Sequence, residues 1–375
     1  MTEKPTGGLL NHFSGIEDPR ADNSQHLLVE IITIAICAAI CGANNWVEVE
    51  LFGQAKQDWF ATFLELPNGI PSHDTFGRVF ALIDGEQFQS CFLKWMQTAS
   101  DLTEGQIVPI DGKKLRRSHD KANGKAAIHM VSAWATENRL VLGQIKVNDK
   151  SNEITAIAEL LSLLELAGCI VTIDAMGCQT AIAAQIVEKD ADYVLAVKDN
   201  QENLHQDIQE LFAYAAETAF ADCDYAKTIN KGHGRLEIRE CWTISDEEYF
   251  AYLRNRSAWA GLQTIAMVKS ERRSGDEGTI ETRYFISSLS GQAKLLLKAV
   301  RQHWGIENGL HWKLDIAFRE DDSRVRKGNG AQNFAVVRRI ALNLLNQEKT
   351  AKCGIQAKRL KAGWDEKYLL KVLNS

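Results

Sequence analysis

The chain has 375 residues, of which 45% are hydrophobic and 25% are charged. This is the mixture of a globular protein with two or three folding units, long enough to bury a core without disulfides or a structural metal. The net charge of −6 would by itself argue weakly against a nucleic-acid partner.

Residues 1–100 are predicted to form a helical N-terminal domain. Apolar side chains recur at helical spacing over residues 27–40, and two shorter apolar groups follow. Ser72 has the character of a helix N-cap, because apolar residues follow from Phe76 at spacings of three and four. A DNA-binding helix-turn-helix is an alternative. Residues 1–100 hold 5 Lys and Arg against 12 Asp and Glu, and this acidity disfavours direct binding to a DNA duplex.

No segment has the pattern of a membrane anchor or a secretion signal. The longest apolar stretch, residues 27–43, contains Glu30 and is shorter than a bilayer span. It also begins too far along the chain for a signal peptide. The eight cysteines include no C-x-x-C pair, so we expect reduced thiols rather than disulfides or a zinc site. These features predict a cytoplasmic protein without a membrane partner.

After residue 100 the pattern changes to that of an α/β protein. Strands and helices alternate from here, and an antiparallel hairpin is combined with parallel crossovers, which indicates a mixed sheet. The predicted strands cover 106–114, 128–136, 139–147, 169–173 and 193–197, and the predicted helices cover 154–166 and 179–189.

Residues 198–289 are predicted to be a β-rich insertion in this α/β domain, which spans 101–346. A helix at 203–218 precedes four β-rich stretches. An independent third domain is the alternative. Helical periodicity returns at 293–318 and 332–345.

The last part of the chain is basic, and residues 347–375 are predicted to be a C-terminal tail. Residues 291–375 hold 17 Lys and Arg against 8 Asp and Glu. A local basic surface is sufficient to bind phosphates by counterion release. An ordinary solvated helical region is the competing interpretation.

Two aspartates stand at equivalent positions of two apolar strands. Asp111 follows residues 107–110, and Asp174 follows residues 170–173, 63 residues later. A carboxylate in such a place is costly to bury unless it is paired or binds a cation. A single one is more often a capping or turn residue, whereas two on neighbouring strands favour a shared cation site.

A third carboxylate, Glu307, lies in a predicted helix. His303, Glu307 and His311 are four residues apart and share one helix face, so a transition-metal site made from these three is one interpretation. We prefer Glu307 alone as a metal ligand, with the histidines in hydrogen bonds or phosphate contacts. Three neighbouring residues are expected in the core rather than stacked on bases: Trp304, Ile306 and Trp312.

Four short motifs occur in order along the chain. They are IDGK at 110–113, IDAMGCQ at 173–179, VKDNQ at 197–201 and HWGIEN at 303–308, which continues to WKLD at 312–315. Together they resemble the bacterial insertion-sequence DDE transposases of the H-repeat-associated group. The segment FSGIEDPR at 13–20 is similar to the start of that group's N-terminal associated domain. The resemblance therefore covers about residues 10 to 346.

The resemblance implies a ribonuclease H-like core with an Asp-Asp-Glu triad at Asp111, Asp174 and Glu307. The separation of 133 positions between the second and third carboxylates fits the family's β-rich insertion. Oxygen ligands imply Mg²⁺ or Mn²⁺, with two ions in the site. The implied activity is cleavage of transposon-end phosphodiesters, followed by transfer of the freed 3′-hydroxyl into target DNA.

The implied partner is double-stranded DNA, namely terminal inverted repeats and target DNA, bound by a homodimer. Phosphate binding by the surrounding basic and polar residues competes with a merely solvated surface. Two other functions stay open: a ribonuclease H-like nuclease that cuts without joining, and a catalytically weakened or inactive DNA-binding remnant. The candidate DNA contacts are Lys113, Lys114, Arg116, Arg117, Lys198, Asn200, Gln201, Arg301, Arg324, Arg326 and Lys327.

Overall fold

The computed structural model describes residues 9–21, 24–100, 102–119, 126–148, 151–232, 234–274 and 277–375. Residues 1–8 and 22–23 of the predicted N-terminal domain lie outside these ranges. The strands are β1 (Ile107–Lys114), β2 (His129–Ala135), β3 (Leu140–Lys146), β4 (Ile170–Ile173), β5 (Asp192–Val197), β6 (Asp224–Gly232), β7 (Arg235–Ile244), β8 (Thr264–Ser274) and β9 (Glu277–Ser287).

The helices begin where the sequence supplies a cap in several cases, as at Ser72, whose hydroxyl accepts a hydrogen bond from the Thr75 amide. The helices are α1 (Leu9–Phe13), α2 (Leu28–Ile40), α3 (Trp46–Ala55), α4 (Gln57–Phe60), α5 (His73–Leu82), α6 (Gly85–Ala99), α7 (Glu153–Leu163), α8 (Thr180–Glu188), α9 (Glu202–Glu217), α10 (Glu247–Phe250), α11 (Ala293–His303), α12 (Trp312–Ile316), α13 (Gly330–Gln347), α14 (Ile355–Trp364) and α15 (Glu366–Leu373).

One mixed sheet contains all nine of these strands, in the order β3-β2-β1-β4-β5-β9-β8-β7-β6. Strands β1, β4 and β5 run parallel to one another, and β2 and β3 form an antiparallel hairpin beside β1. The crossovers between the parallel strands pass through α7 and α8. This confirms the predicted α/β fold class with a mixed-sheet core.

The predicted β-rich insertion is continuous with the core sheet. Strand β9 pairs with β5 along residues 194–197, and β8, β7 and β6 follow in an antiparallel meander. The insertion strands therefore use the open edge of β5 as their template, which protects that edge from pairing with another chain.

Helices cover both faces of the sheet because its strands alternate apolar side chains between the faces. One face packs against α7, α8 and α9, and the other packs against α11. Helices α1 to α6 share a third apolar cluster with α13, α14 and α15. We call this third group of helices the helical body. No helix among the described residues is long and apolar enough to cross a membrane.

Residues 347–375, predicted as a basic tail, contribute two helices to the helical body, and two of their cations are buried. Arg359 is 1% exposed, and its guanidinium donates to the carbonyl oxygens of Ala39 at 2.9 Å, Ala43 at 3.1 Å and Ala317. Lys358 donates to the Leu345 carbonyl at 2.7 Å. These two side chains stabilise the packing of the helices and are not available to bind DNA, so the C-terminal charge excess includes cations that are not at the surface.

We predict that Arg359→Ala destabilises the protein by about 3 kcal/mol, because it leaves several buried carbonyl oxygens without a donor. The free energy of unfolding is measured by urea denaturation, followed by circular dichroism. Lys352→Ala is the matched control, since Lys352 is an exposed cation of the same segment. Equal stability of the two variants would mean that the C-terminal helices do not contribute to the helical body.

Candidate metal centre

Asp111 is held in β1 with its carboxylate largely buried. Its side chain is 18% exposed. Burial raises the pKa of Asp111 to about 6, the His311 side chain opposes the shift, and the charges of Glu307 and Asp174 add to it. The carboxylate is therefore costly to ionise in the metal-free protein.

Asp174 lies one residue beyond β4, at the same level as Asp111. The two strands are parallel neighbours in which Ile110 is paired with Ile173, so their next residues emerge together at one edge. Asp174 Oδ1 accepts hydrogen bonds from the amides of Met176 at 3.1 Å and Gly177 at 3.4 Å. Asp174 thus caps a short 3₁₀ turn. It is a capping residue, which was one of the two predicted roles, and it also lies at the same end of the sheet as Asp111.

Glu307 approaches Asp111 from the other side, on a π-helical turn that spans Glu307–His311. His311 Nδ1 is 3.4 Å from Glu307 Oε2 and 3.7 Å from Asp111 Oδ2. One ligand atom from each of these three residues lies within 4.8 Å of the others. They could hold one cation, and π-helical turns are frequent at functional sites.

Asp111, Asp174 and Glu307 all line one cavity of about 440 Å³. Asp174 is outside the compact group of Asp111, Glu307 and His311. Among the described residues, His303 does not belong to the compact group either, and its Nδ1 lies 3.0 Å from the Thr172 hydroxyl. The carboxylate oxygens fit the hard cations Mg²⁺ and Mn²⁺, and the buried imidazole of His311 is a donor that Mn²⁺ accepts more readily.

A fourth partly buried carboxylate, that of Glu153, is affected by the charges of the two aspartates and was not predicted from the sequence. Its side chain is 14% exposed, and its Oε2 is 3.5 Å from Nε2 of His129. Burial, followed by the charges of Asp174 and Asp111, raises the pKa of Glu153 to about 7. An acidic residue in the first turn of a helix is common, so the sequence position alone gave no signal. Gly112 inside a strand was the available hint, since it marks a close approach.

The predicted DNA contacts at residues 113–117 lie against the segment between α12 and α13. Lys113 is 8% exposed, and its ammonium is 2.7 Å from Asp315 and 3.0 Å from Asp321. Arg116 is 3.2 Å from Asp321, and Arg326 donates to the carbonyl of Arg117 at 2.9 Å. Lys113 is thus occupied inside the protein, whereas Arg116 is 81% exposed.

The remaining predicted contacts fall into two groups. Asn200 donates to the carbonyl of Ala175 at 2.6 Å and Gln201 to that of Cys178 at 2.9 Å. These two amides brace the turn that follows Asp174. The others are exposed: Lys114, Lys198, Arg301, Arg324 and Lys327.

A second cavity of about 920 Å³ adjoins the first, and Trp304 and Arg283 line both. Six cationic side chains and three carboxylates line this cavity. Its walls therefore carry an excess of positive charge. Burial and the charges of Arg139, Lys349 and Lys358 lower the pKa of Lys313 to about 8. We call this cavity the arginine groove, and its cations are Arg139, Arg239, Arg272, Arg283, Arg301 and Lys313.

Two tryptophans expected in the core are instead exposed. Trp304 is 48% and Trp312 59% exposed, whereas Ile306 is buried as expected. The guanidinium of Arg283 lies 4.7 Å from the Trp304 ring centre, at the wall between the two cavities. The prediction failed because helical periodicity does not distinguish a face that packs on the sheet from one that borders a groove.

The chain is similar to several known proteins. The chain matches the family described as Transposase DDE domain over residues 77–344, and that described as DDE_Tnp_1-associated over residues 10–96. It is 42% identical to the protein YncI of Escherichia coli O157:H7, over 98% of this chain and 94% of that protein. It is 39% identical to the H repeat-associated protein YhhI of E. coli strain K12, over 97% of each. The cryo-EM structure of a piggyBac transposase synaptic complex with hairpin DNA covers 99% of this chain and 82% of its own at 10% identity, with a TM-score of 0.46.

We predict that the metal-free protein loses stability as the pH rises from about 4 to about 8. Asp111 and Glu153 have a folded-state pKa of about 6 and about 7, above their unfolded values. Their contribution is therefore present below the unfolded pKa and is lost as the pH rises through the folded pKa. Asp111→Asn should gain on the order of 2–3 kcal/mol over the wild type at pH 8, and little at pH 4.

Urea denaturation in the presence of a chelator measures this difference at each pH. Glu217→Gln, which changes an exposed carboxylate, is the control and should follow the wild type. If Asp111→Asn also follows the wild type at both pH values, then the carboxylates do not repel one another in the folded protein.

Proposed function

The chain belongs to the family of transposases with a DDE domain, and we propose that it cuts transposon ends and joins them to target DNA with Asp111, Asp174 and Glu307. The observation that carries the proposal is that these three carboxylates, from three separate elements, line one cavity. The resemblance of the motifs around them to those of the family supports the same assignment.

The donor set suits two divalent cations, Mg²⁺ or Mn²⁺. Such ions, when bound, supply the Lewis-acid chemistry that stabilises charge on a phosphodiester during in-line displacement. Asp111 is central, since both Glu307 and Asp174 influence its ionisation. The chain's own contribution is to hold oxygen ligands in fixed positions and to exclude bulk water from Asp111.

The proposed reaction has two displacements at phosphorus. In the first, the oxygen of a water molecule forms a bond to phosphorus and the bond to the 3′ oxygen breaks, which leaves a 3′-hydroxyl and a 5′-phosphate. In the second, the oxygen of that 3′-hydroxyl forms a bond to the phosphorus of a target phosphodiester, and the bond from this phosphorus to the target 3′ oxygen breaks, which leaves a 3′-hydroxyl on the target strand. In each step the attacking hydroxyl loses a proton to solvent and the leaving 3′ oxygen takes one up. No oxidant or further reactant is needed.

Double-stranded DNA is the proposed partner, with terminal repeats and target bound by a homodimer in the cytoplasm. The arginine groove supports this, because it opens beside the catalytic cavity and its positive charges exceed its carboxylates. Uncompensated cations on a concave surface attract a phosphate backbone. The exposed ring of Trp304 at the boundary offers a flat apolar surface to a base.

A nuclease without strand transfer and an inactive remnant are the competing functions. Retention of all three carboxylates disfavours the remnant. Incubation of the protein with labelled transposon ends, target DNA and Mg²⁺ separates the three functions. A transposase yields cut ends and joined products, a nuclease yields cut ends alone, and a remnant yields a bound complex without either product.

We predict that Asp111→Asn, Asp174→Asn and Glu307→Gln each abolish cleavage and leave DNA binding nearly unchanged. Each variant removes a ligand oxygen with little change of shape. Cleavage is measured on labelled ends, and binding is measured by fluorescence anisotropy.

Asp199→Asn is the matched control for these three variants. Asp199 lines the same cavity, but its side chain is 98% exposed, and its Oδ1 lies 3.1 Å from Nδ1 of His205. This variant should cleave as well as the wild type or better, because it removes a negative charge beside Lys198. More than a few per cent of activity in a triad variant would remove that residue from the triad.

We predict that Arg301→Ala combined with Lys313→Ala weakens DNA binding and flattens its dependence on salt. Each lost phosphate contact lowers the log–log slope by about 0.9, so the double variant should lose about 2. The slope is measured by anisotropy titrations from low to high salt. If the double variant keeps the wild-type slope and a triple Arg324, Arg326 and Lys327 variant to alanine flattens it, the interface lies on the loop before α13 instead.

A further inference from the structure

The imidazole of His311 faces the carboxylates of Asp111 and Glu307. Its Nδ1 is 3.4 Å from Glu307 Oε2 and 3.7 Å from Asp111 Oδ2, and the ring is 4% exposed. We propose that His311 Nδ1 is itself a ligand of the divalent cation that Asp111 and Glu307 bind, so that this nitrogen donor makes the centre select Mn²⁺ over Mg²⁺. This inference rests on the proposed function, because it concerns the same centre.

The spacing of the three side chains fits a shared cation. One ligand atom of each residue lies within 4.8 Å of the other two. Ligand atoms at about 2.1 Å from an octahedral cation are about 3 Å from adjacent ligands and about 4.2 Å from the opposite one. Small side-chain movements therefore suffice to bring Asp111, Glu307 and His311 into the coordination sphere of one ion.

The backbone brings His311 to this position through a close approach to the sheet. Glu307 and His311 are the first and last residues of the π-helical turn, and residues four apart share one helix face. A Cβ atom at Gly309, between them, would lie 3.2 Å from the Trp134 ring. The absence of a side chain at position 309 lets the turn lie close to β2, the neighbour of the strand that carries Asp111.

The alternative role for His311 is that of an imidazolium, which would serve as the counter-charge of the two carboxylates. A charged ring donates from both nitrogens, and a charge-assisted hydrogen bond to a carboxylate is about 2.7–2.9 Å long. Both distances from Nδ1 exceed this length, and Nε2 has no hydrogen-bond partner among the described residues. The geometry favours a neutral ring, which is the form that binds metals.

Buried polar side chains continue from Asp111 along the same face of the sheet. Ser132 is paired with Asp111 across β1 and β2, and Gln144 is paired with Ser132 across β2 and β3. Paired residues direct their side chains to one face. Both are fully buried, and Ser132 Oγ and Gln144 Oε1 have no hydrogen-bond partner in the described part of the chain. A metal-bound imidazole donates its other N–H to an acceptor or a water molecule, and this row supplies acceptors near the centre.

A nitrogen ligand changes which cation binds best. Mg²⁺ prefers oxygen ligands, whereas imidazole binds first-row transition ions more strongly. His311→Asn places an amide oxygen near the position of Nδ1, so the variant keeps a donor but loses the nitrogen. Its affinity for Mn²⁺ should fall at least about 10-fold, whereas its affinity for Mg²⁺ should change much less. Isothermal titration calorimetry with each ion measures this loss of selectivity.

Pulsed electron paramagnetic resonance tests the ligand directly, on Mn²⁺ bound to the full-length protein without DNA. The electron spin echo of Mn²⁺ is modulated by a nitrogen nucleus that is bonded to the ion. We expect this modulation in the wild type and its loss in His311→Asn. His205→Asn is the matched control and should keep the modulation, since His205 lines the same cavity but its Nδ1 lies 3.1 Å from Asp199 Oδ1.

A thermal melt in a chelator checks that His311→Asn is folded, and the spectrum of the wild type decides the matter if it is not. Mn²⁺ bound to the wild type without nitrogen modulation would overturn the inference. So would a wild type that binds no Mn²⁺, or a folded His311→Asn variant with unchanged affinity for Mn²⁺. Failure of the proposed function alone gives another result: the nitrogen modulation is present, but the wild type with Mn²⁺ leaves labelled transposon ends uncut.

Discussion

The rest of the structure depends on the placement of several carboxylates in one partly buried space at the ends of β1 and β4. Like charges at close range disfavour one another's ionisation, and burial adds to this cost. The metal-free site therefore opposes folding, and other parts of the chain must offset it. The ion pair of Glu320 with Arg339, at 2.7 Å and fully buried, and the hydrogen bonds of Arg359 stabilise the helices around the site.

Positive charge in this protein has two different uses that the sequence does not separate. Four of the 17 basic residues after position 290 are buried, namely Arg338, Arg339, Lys358 and Arg359. They bind carbonyl oxygens or carboxylates in the interior. The arginine groove instead draws Arg239, Arg272 and Arg283 from the insertion strands. Net charge along a sequence records neither burial nor pairing, so the C-terminal excess of basic residues does not by itself measure the exposed positive charge of that region.

Features of the fold that depend on residues close in the sequence could be predicted from the sequence. The apolar strands before Asp111 and Asp174, the cap at Ser72 and the mixed sheet could all be derived from periodicity and turn residues. The pairing of β9 with β5 joins residues about 90 positions apart, and no local signal encodes it. Glu153 was missed for the same reason: its approach to Gly112 depends on where α7 packs, which is a property of the whole sheet.

The carboxylates of the site are held with unequal rigidity. One carboxylate oxygen of Asp174 accepts hydrogen bonds from two backbone amides. These bonds fix the orientation of the carboxylate, and hence of its other oxygen, in the protein without a cation. Asp111 is fixed by burial within β1. Glu307 has a side chain that is 53% exposed and lies on a π-helical turn, whose hydrogen bonds are less favourable than those of an α-helix. The strand side of the centre is thus preorganised, and Glu307 is the ligand whose position a cation and a DNA backbone can still adjust.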